Sequence, residues 1–271
     1  QLWRPSSPCG VGCLPAPEAT RRVPVTVAAG RAAATVTVVA ALLVALPAFG
    51  LLSRARAVAA ARVVARGLLL ALGVRHRMVG AVPAGAALLV ANHISWLDAV
   101  VLLANAPVRM IAKHEVRAWP VIGVAAAAIG TQFIDRGHPR RLPDTVAATT
   151  AALRAGASVA VFAEGTTWCG RSGGRLRPAM FQAAIDAMVP VVPLTIRYHQ
   201  RLAGGGTDAT TVAAFVGDQT LLSSLVRVIT AAGLTVTLRP CRPLDPDRAA
   251  GRRHLAAEAA LAMGRAASAD P

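Results

Sequence analysis

Apolar and polar positions divide the chain into three stretches. Residues 1 to 31 are rich in Pro, Gly and Ser, show no periodicity and read as a flexible tail. Residues 32 to 52, AAATVTVVAALLVALPAFGLL, form an uncharged apolar run between Arg31 and Arg54. About 20 such residues suffice to cross a bilayer, and the run is too long and lies too far in for a secretory signal. Pro47 and Gly50 also permit a bend, with residues 54 to 73 returning as a second, interfacial helix. In that arrangement Arg62 and Arg66 grip anionic headgroups while Leu68, Leu69, Leu70 and Leu72 enter the acyl region. Residues 32 to 77 are therefore expected to be a membrane-anchoring segment, either one spanning helix or a re-entrant pair. A buried helix of a soluble core is the competing reading of the same run.

From residue 78 onward, short apolar strands alternate with helices. Residues 87–91, 131–134, 158–163, 191–197 and 235–238 read as strands, and 95–105, 144–155, 181–187 and 248–267 as helices. Continuous apolar strands separated by helices predict an α/β domain over 78 to 271, its mainly parallel central sheet flanked by helices. Catalytic groups in such sheets sit just past the carboxyl ends of the strands.

The 271 residues carry a net charge of +16, supplied by 28 arginines and a single lysine, Lys113. This favours anionic partners: a phospholipid surface, coenzyme A phosphates or an acidic carrier protein. Nucleic acid is disfavoured, because the arginines are scattered and no aromatic stacking platform accompanies them. More arginines follow the apolar run (Arg54, Arg56, Arg62, Arg66, Arg75, Arg77) than precede it (Arg21, Arg22, Arg31), which puts the α/β domain on the cytoplasmic face of a cell membrane. Cys9 and Cys13 are too few for a metal site, with no matching Cys/His pair at ligand spacing, and Cys169 and Cys241 stand alone, so no metal is expected.

Four segments carry candidate chemistry. In Asn92-His93-Ile94-Ser95-Trp96-Leu97-Asp98, His93 falls at a strand end and Ser95 caps the next helix. On one continuous helix the two residues would point about 140° apart. With His93 in the loop and Asp98 in the first helical turn, they can hydrogen-bond. A carboxylate on one imidazole nitrogen then fixes the tautomer and leaves the other to take a hydroxyl proton. That is half of a serine-hydrolase triad, with a substrate hydroxyl in place of the serine. In Phe162-Ala163-Glu164-Gly165-Thr166-Thr167, Glu164 can orient acceptor hydroxyls, and the Gly165 turn can aim N–H groups at a ligand. Arg136, in Gly130–Arg136, offers a fork for phosphate or a salt bridge to Asp135. Lys113, in Lys113-His114-Glu115-Val116, offers a compact ammonium.

Taken together these segments resemble the lysophosphatidate (1-acylglycerol-3-phosphate) acyltransferase family: NHISWLD, KHEV, GTQFIDR, FAEGTT and VPVVPLT stand in the family's order over residues 70 to 200. The resemblance implies a His93/Asp98 dyad, and an acceptor site holding Arg136, Glu164, Gly165, Thr166 and Thr167. It implies no cofactor, an acyl-CoA or acyl-carrier-protein donor, a lysolipid acceptor and a membrane anchor. Phosphatidate, formed from 1-acylglycerol-3-phosphate, is the expected product. Two positions depart from the family: Ala163 stands where Pro is usual, and Thr167 where an Arg binds the acceptor phosphate. EGTT with NHISWLD looks more like the lyso-ornithine lipid acyltransferases, while Arg175 and Arg177 are placed to compensate for the missing Arg. Backbone N–H groups near 163–166 or 95–98 are the expected oxyanion donors. The rivals are a non-catalytic basic membrane-docking protein, and a thioesterase for which no nucleophile elbow is evident.

Overall fold

Leu88–Ala91 is buried on both faces, each residue no more than 1% exposed, and forms the central strand of the sheet. It is seen in a computed structural model that describes residues 5–119, 121–135, 137–201, 206–246 and 250–268. In chain order the elements are α1 (Val25–Leu51), α2 (Arg54–Ala71), β1 (Arg75–Met78), β2 (Leu88–Ala91), α3 (Leu97–Asn105), β3 (Val108–Lys113), α4 (Ile122–Ala128), β4 (Gln132–Ile134), α5 (Leu142–Arg154), β5 (Ser158–Phe162), α6 (Phe181–Ala187), β6 (Val191–Arg201), β7 (Thr207–Ala209), α7 (Leu221–Thr230), β8 (Leu234–Pro240) and α8 (Gly251–Ser268). The strands join in the order β1-β8-β6-β2-β5-β3-β4, with β7 on β6. The pairings β1·β8, β2·β5, β2·β6, β3·β4 and β3·β5 are parallel; β6·β8 and β6·β7 are antiparallel. The expected mainly parallel α/β sheet is therefore present, with a mixed edge.

Alternation along β2 sorts the core into two layers. Leu89 and Ala91 face Leu69 of α2, Leu72 just after it, Leu97, Val101 and Leu102 of α3 and Val228 of α7. Leu88 and Val90 face Leu153, Phe181, Ile185, Leu255 and Ala259 of α5, α6 and α8. A strand sealed on both faces needs apolar residues at every position, which is why its sequence reads as an unbroken run.

Helices α1 and α2 pack together as a hairpin joined at Leu52-Ser53. Val25–Ala48 is long and apolar enough to cross a membrane, with a mean hydropathy of 1.9 and 6% of its most apolar window buried. Yet both ends of the hairpin are tied to the α/β domain. The Val23 N–H donates to the Thr230 carbonyl at 2.9 Å, and Arg31 Nη1 donates to the Ile229 and Ala231 carbonyls at 2.9 and 2.8 Å. At the other end Leu69 and Leu72 are 0% exposed in the core, and Arg66 Nε donates to the Ala104 carbonyl at 2.9 Å. Two expectations for α2 are thus corrected. Arg66 holds α3, and of the four leucines only Leu70, 82% exposed, faces fully outward. The reason is that these side chains complete the sheet's upper layer.

The segment expected to be a flexible tail is also different. The helix starts at Val25, and residues ahead of it are fastened to the domain: the Arg21 carbonyl accepts from Ala232 N–H and Gln200 Nε2, both at 2.8 Å, and the Cys13 carbonyl accepts from Thr211 Oγ1 at 2.8 Å. Scattered backbone hydrogen bonds of this kind leave no periodic trace in side-chain polarity. Replacing Arg31 by Ala removes both ties between α1 and the end of α7. The expected cost is about 1–3 kcal/mol, read as a lower denaturation midpoint for the detergent-solubilised chain.

Candidate active site

The carboxyl ends of β2 and β5 lie side by side, with Ala91 opposite Phe162. Beyond β2 the Asn92 side chain continues the ladder: its Nδ2 donates to the Ile196 carbonyl at 3.0 Å, and its Oδ1 accepts the Ile196 N–H at 2.7 Å. The loop then turns into α3, whose first turn holds Asp98, 0% exposed. Oδ2 of Asp98 accepts from His93 Nδ1 at 2.9 Å, from Ile94 N–H at 2.6 Å and from Ser95 N–H at 2.8 Å. Oδ1 accepts from Tyr198 Oη of β6 at 2.6 Å. A buried carboxylate is tolerable only with such compensation. Burial and the adjacent Asp98 push the Tyr198 phenol well above its ordinary range, so it stays protonated as the donor.

With Asp98 a carboxylate, Nδ1 of His93 carries the proton and Nε2 is left as a base. Nε2 has no hydrogen-bond partner among the described residues, and the side chain is 19% exposed. The ring stacks on Phe162, centroids 3.9 Å apart at an interplanar angle of 8°. Oriented by a carboxylate, braced by an aromatic face and open on one nitrogen, the imidazole is equipped for general-base chemistry.

Glu164 follows β5 and is 6% exposed. Its Oε2 accepts the His93 N–H at 2.7 Å and its Oε1 accepts the Gly174 N–H at 2.9 Å. Each oxygen is thus engaged by one backbone N–H, so Glu164 clamps two loops, and each oxygen keeps a second lone pair for an acceptor hydroxyl. Burial drives its carboxyl from 4.5 to about 7, against the pull of the two N–H groups and with a further push from Asp98.

Gly165 occupies φ +77°, and a Cβ there would stand 2.7 Å from Pro5 Cγ, so the turn requires glycine on both counts. Thr167 Oγ1 donates to the Phe215 carbonyl, and the Phe215 N–H donates to the Ile94 carbonyl at 2.9 Å. The Trp168 N–H donates to the His93 carbonyl at 2.7 Å. Of the expected oxyanion donors, the N–H of Ser95 is taken by Asp98 Oδ2, that of Asp98 by the Ser95 carbonyl at 3.0 Å and that of Gly165 by the Phe162 carbonyl at 3.0 Å.

The fold thus brings His93, Asp98, Glu164, Gly165, Thr166 and Thr167 to one place. Lys113 ends β3 at the same sheet edge, exposed, with Nζ 5.8 Å from the Trp119 ring centroid. Arg175 and Arg177 are exposed on the following loop, and Arg177 Cδ lies 3.4 Å from where a Gly165 Cβ would be. Arg136 lies outside the described residues; its neighbour Asp135 accepts from Gly137 N–H at 2.8 Å and pairs with His138 at 2.7 Å. Tyr198, Asn92 and Phe162 were not singled out from sequence. Tyr198 had a signal: it is the chain's one tyrosine and shares the buried face of β6 with Leu194 and Ile196, where a phenol needs an acceptor. Gly170-Arg171-Ser172-Gly173-Gly174 does spell G-x-S-x-G, but it lies in an irregular loop, away from any strand-to-helix turn, and makes no nucleophile elbow.

Residues 74–197 match the family model described as Acyltransferase. A lyso-ornithine lipid O-acyltransferase of Pseudomonas aeruginosa is 37% identical over 188 residues, covering 69% of this chain and 70% of the relative. The chain belongs to the acyltransferase family. A 1-acyl-sn-glycerol-3-phosphate acyltransferase of Neisseria gonorrhoeae is 34% identical over 149 residues, 55% of this chain and 56% of that one. The crystal structure of the acyltransferase PlsC from Thermotoga maritima shares the fold, with a TM-score of 0.62 over 89% of this chain and 99% of that chain at 17% identity. The protein is an acyltransferase of the lysolipid type, and the non-catalytic docking reading is set aside.

Two predictions follow from the carboxylates. Tyr198→Phe leaves a buried Asp98 oxygen unpaired and should cost about 1–3 kcal/mol, measured by denaturant unfolding. For Glu164 the folded value lies above the ordinary one, so its contribution to stability is full below about 4.5 and is lost as pH rises through about 7. The melting temperature of the wild type should therefore fall between pH 5 and pH 8 relative to Glu164→Gln; parallel curves would contradict this.

Proposed function

We propose that the protein transfers a fatty acyl group from a thioester, acyl-CoA or acyl-carrier protein, to the free hydroxyl of a lysolipid, with His93 as general base. The His93–Asp98 pair carries this reading: one nitrogen is fixed by a buried carboxylate and the other is open. The acceptor hydroxyl gives its proton to Nε2 while its oxygen attacks the thioester carbonyl. The tetrahedral intermediate collapses, the C–S bond breaks, and the imidazolium returns the proton to the leaving thiolate. No side chain of the enzyme is acylated in this scheme. Asp98 stabilises the imidazolium, and Tyr198 and the loop N–H groups keep Asp98 in place.

For the acceptor, two observations favour lyso-ornithine lipid over lysophosphatidate. Thr167 stands at the family's phosphate-binding position and its hydroxyl is bonded to the Phe215 carbonyl. The Pseudomonas relative named for lyso-ornithine lipid also aligns over more of the chain than the Neisseria relative named for 1-acyl-sn-glycerol-3-phosphate. The lysophosphatidate reading draws on Lys113, Arg175 and Arg177, three exposed cations at or near the rim. In the same reading the α1–α2 hairpin enters a membrane and returns on the side it left, since both its ends are tied to the domain. The arginines that follow the apolar run favour the cytoplasmic face.

The test is to offer labelled long-chain acyl-CoA with each lysolipid in turn to the detergent-solubilised chain. Transfer to lyso-ornithine lipid, lowered about 10²- to 10⁴-fold by His93→Ala, is expected. Transfer to lysophosphatidate alone would overturn the acceptor assignment, and near-wild-type turnover by His93→Ala would overturn the mechanism.

A further inference from the structure

Three cysteines have no part in acyl transfer, yet the fold gathers them. The sulfur atoms of Cys9, Cys13 and Cys169 all lie within 4.8 Å of one another, Cys9 and Cys169 buried and Cys13 half-buried. The convergence is tertiary. Cys9 and Cys13 belong to the segment ahead of α1, which packs Pro5 against the Gly165 turn, and Cys169 follows Trp168 in the loop beyond β5. No expectation of a metal arose from the sequence because the third sulfur stands 156 positions (169 − 13) from the second.

Polar groups of the backbone and of Ser172 reach the sulfurs. The Cys169 N–H donates to Cys9 Sγ at 3.3 Å. Such a donor stabilises anionic sulfur, the form that binds a metal. Ser172 Oγ lies 3.9 Å from both Cys9 Sγ and Cys169 Sγ, so a fourth donor stands beside the triangle. Gly170, at φ +91°, turns the chain back over Cys169, and a Cβ there would meet Ile94 Cδ1 at 3.1 Å.

Donor chemistry selects the ligand. Three soft sulfurs exclude Mg²⁺ and Ca²⁺, which take oxygen. A disulfide would use two of the three and leave the third without a role. Zinc–sulfur bonds of about 2.3 Å place tetrahedral thiolates about 3.8 Å apart, so the triangle need contract by only about 1 Å.

We propose that Cys9, Cys13 and Cys169 form a three-thiolate zinc site that clips the segment ahead of α1 onto the loop bonded to His93. On binding, three S–H bonds break, three Zn–S bonds form and the three protons pass to solvent, so affinity rises with pH. Ser172 or a water completes the shell. The role is structural: the loop that the ion would restrain is the one whose Trp168 N–H holds the His93 carbonyl.

The test reads metal rather than turnover, so failure of the acyl-transfer assignment would leave it intact. The full chain, purified in detergent with reductant and without chelator, should carry close to one equivalent of zinc by mass spectrometry. After acid chelation, cobalt(II) should produce thiolate-to-metal charge-transfer bands and tetrahedral d–d bands, which zinc then abolishes by displacing it. Cys9→Ser, Cys13→Ser and Cys169→Ser should each weaken binding at least about tenfold, since even outer-shell partners are worth that much. Cys241→Ser should leave it unchanged. Ser172→Cys, which adds a ligand without removing one, should tighten zinc binding at least about tenfold, and keeps the test open if a ligand variant fails to fold. Cobalt-treated wild-type protein without charge-transfer bands would overturn the proposal, as would metal binding indifferent to all three cysteines. So would a thiol count showing two of the three joined in a disulfide.

Discussion

A carboxylate sealed from water dictates what surrounds it. Asp98 is fully buried, and an uncompensated charge there would cost several kcal/mol. Its four donors come from two places: the loop after β2 supplies the Ile94 and Ser95 N–H groups and His93 Nδ1–H, and β6 supplies Tyr198. Each donor constrains the fold around it. The loop has to fold back over the first turn of α3, β6 has to run past the end of β2 to carry Tyr198, and His93 has to present the tautomer that leaves Nε2 basic. The tie that makes the buried acid tolerable is the tie that orients the base, so stability and chemistry are the same constraint at this point.

Glu164 is the opposite case. It has two donors where Asp98 has four, and burial wins: its carboxyl sits at about 7. Both donors are backbone N–H groups, from the His93 loop and from the glycine-rich loop. Glu164 therefore sets the distance between the two loops that frame the site, each of its oxygens accepting one backbone N–H. Phe162 completes the frame, because the ring that ends β5 is the floor against which the His93 imidazole is stacked.

Much of this was legible in the sequence for local reasons. Strands buried on both faces write themselves as unbroken apolar runs, which is why β2 and β5 were found within a residue. The spacing of His93 and Asp98 also has a local cause, since only a loop-to-helix break lets two residues five apart meet. What was missed is non-local. Tyr198 reaches Asp98 from 100 positions away, and Cys169 reaches Cys9 from 160. Helix α4 is Ala-rich and carries no clear polar face, and α7 has serines at 223 and 224, so neither stood out. Arg66 shows the limit of reading charge by itself: a surface cation on a helical wheel proved to be a cap on the end of α3.

The hairpin shares this logic. Leu69 of α2 and Leu72 just after it lie in one packed layer with Leu97 and Val101 of α3, and α3 begins where His93 and Asp98 meet. Interiors are close-packed and transmit displacement, so α2 cannot tilt without moving the helix that carries the dyad. Arg66 fixes the far end of α3 to the same helix, and Arg31 fixes α1 to α7. A flexible tether would let the active site approach a bilayer from any direction. If this hairpin enters a bilayer, as proposed, its place in the core on one side of the sheet holds the open face of His93 at one orientation to that surface. For a lipid whose reactive hydroxyl lies at a fixed depth near the interface, a fixed approach removes orientational freedom before the reaction begins, a contribution that positioning alone can make.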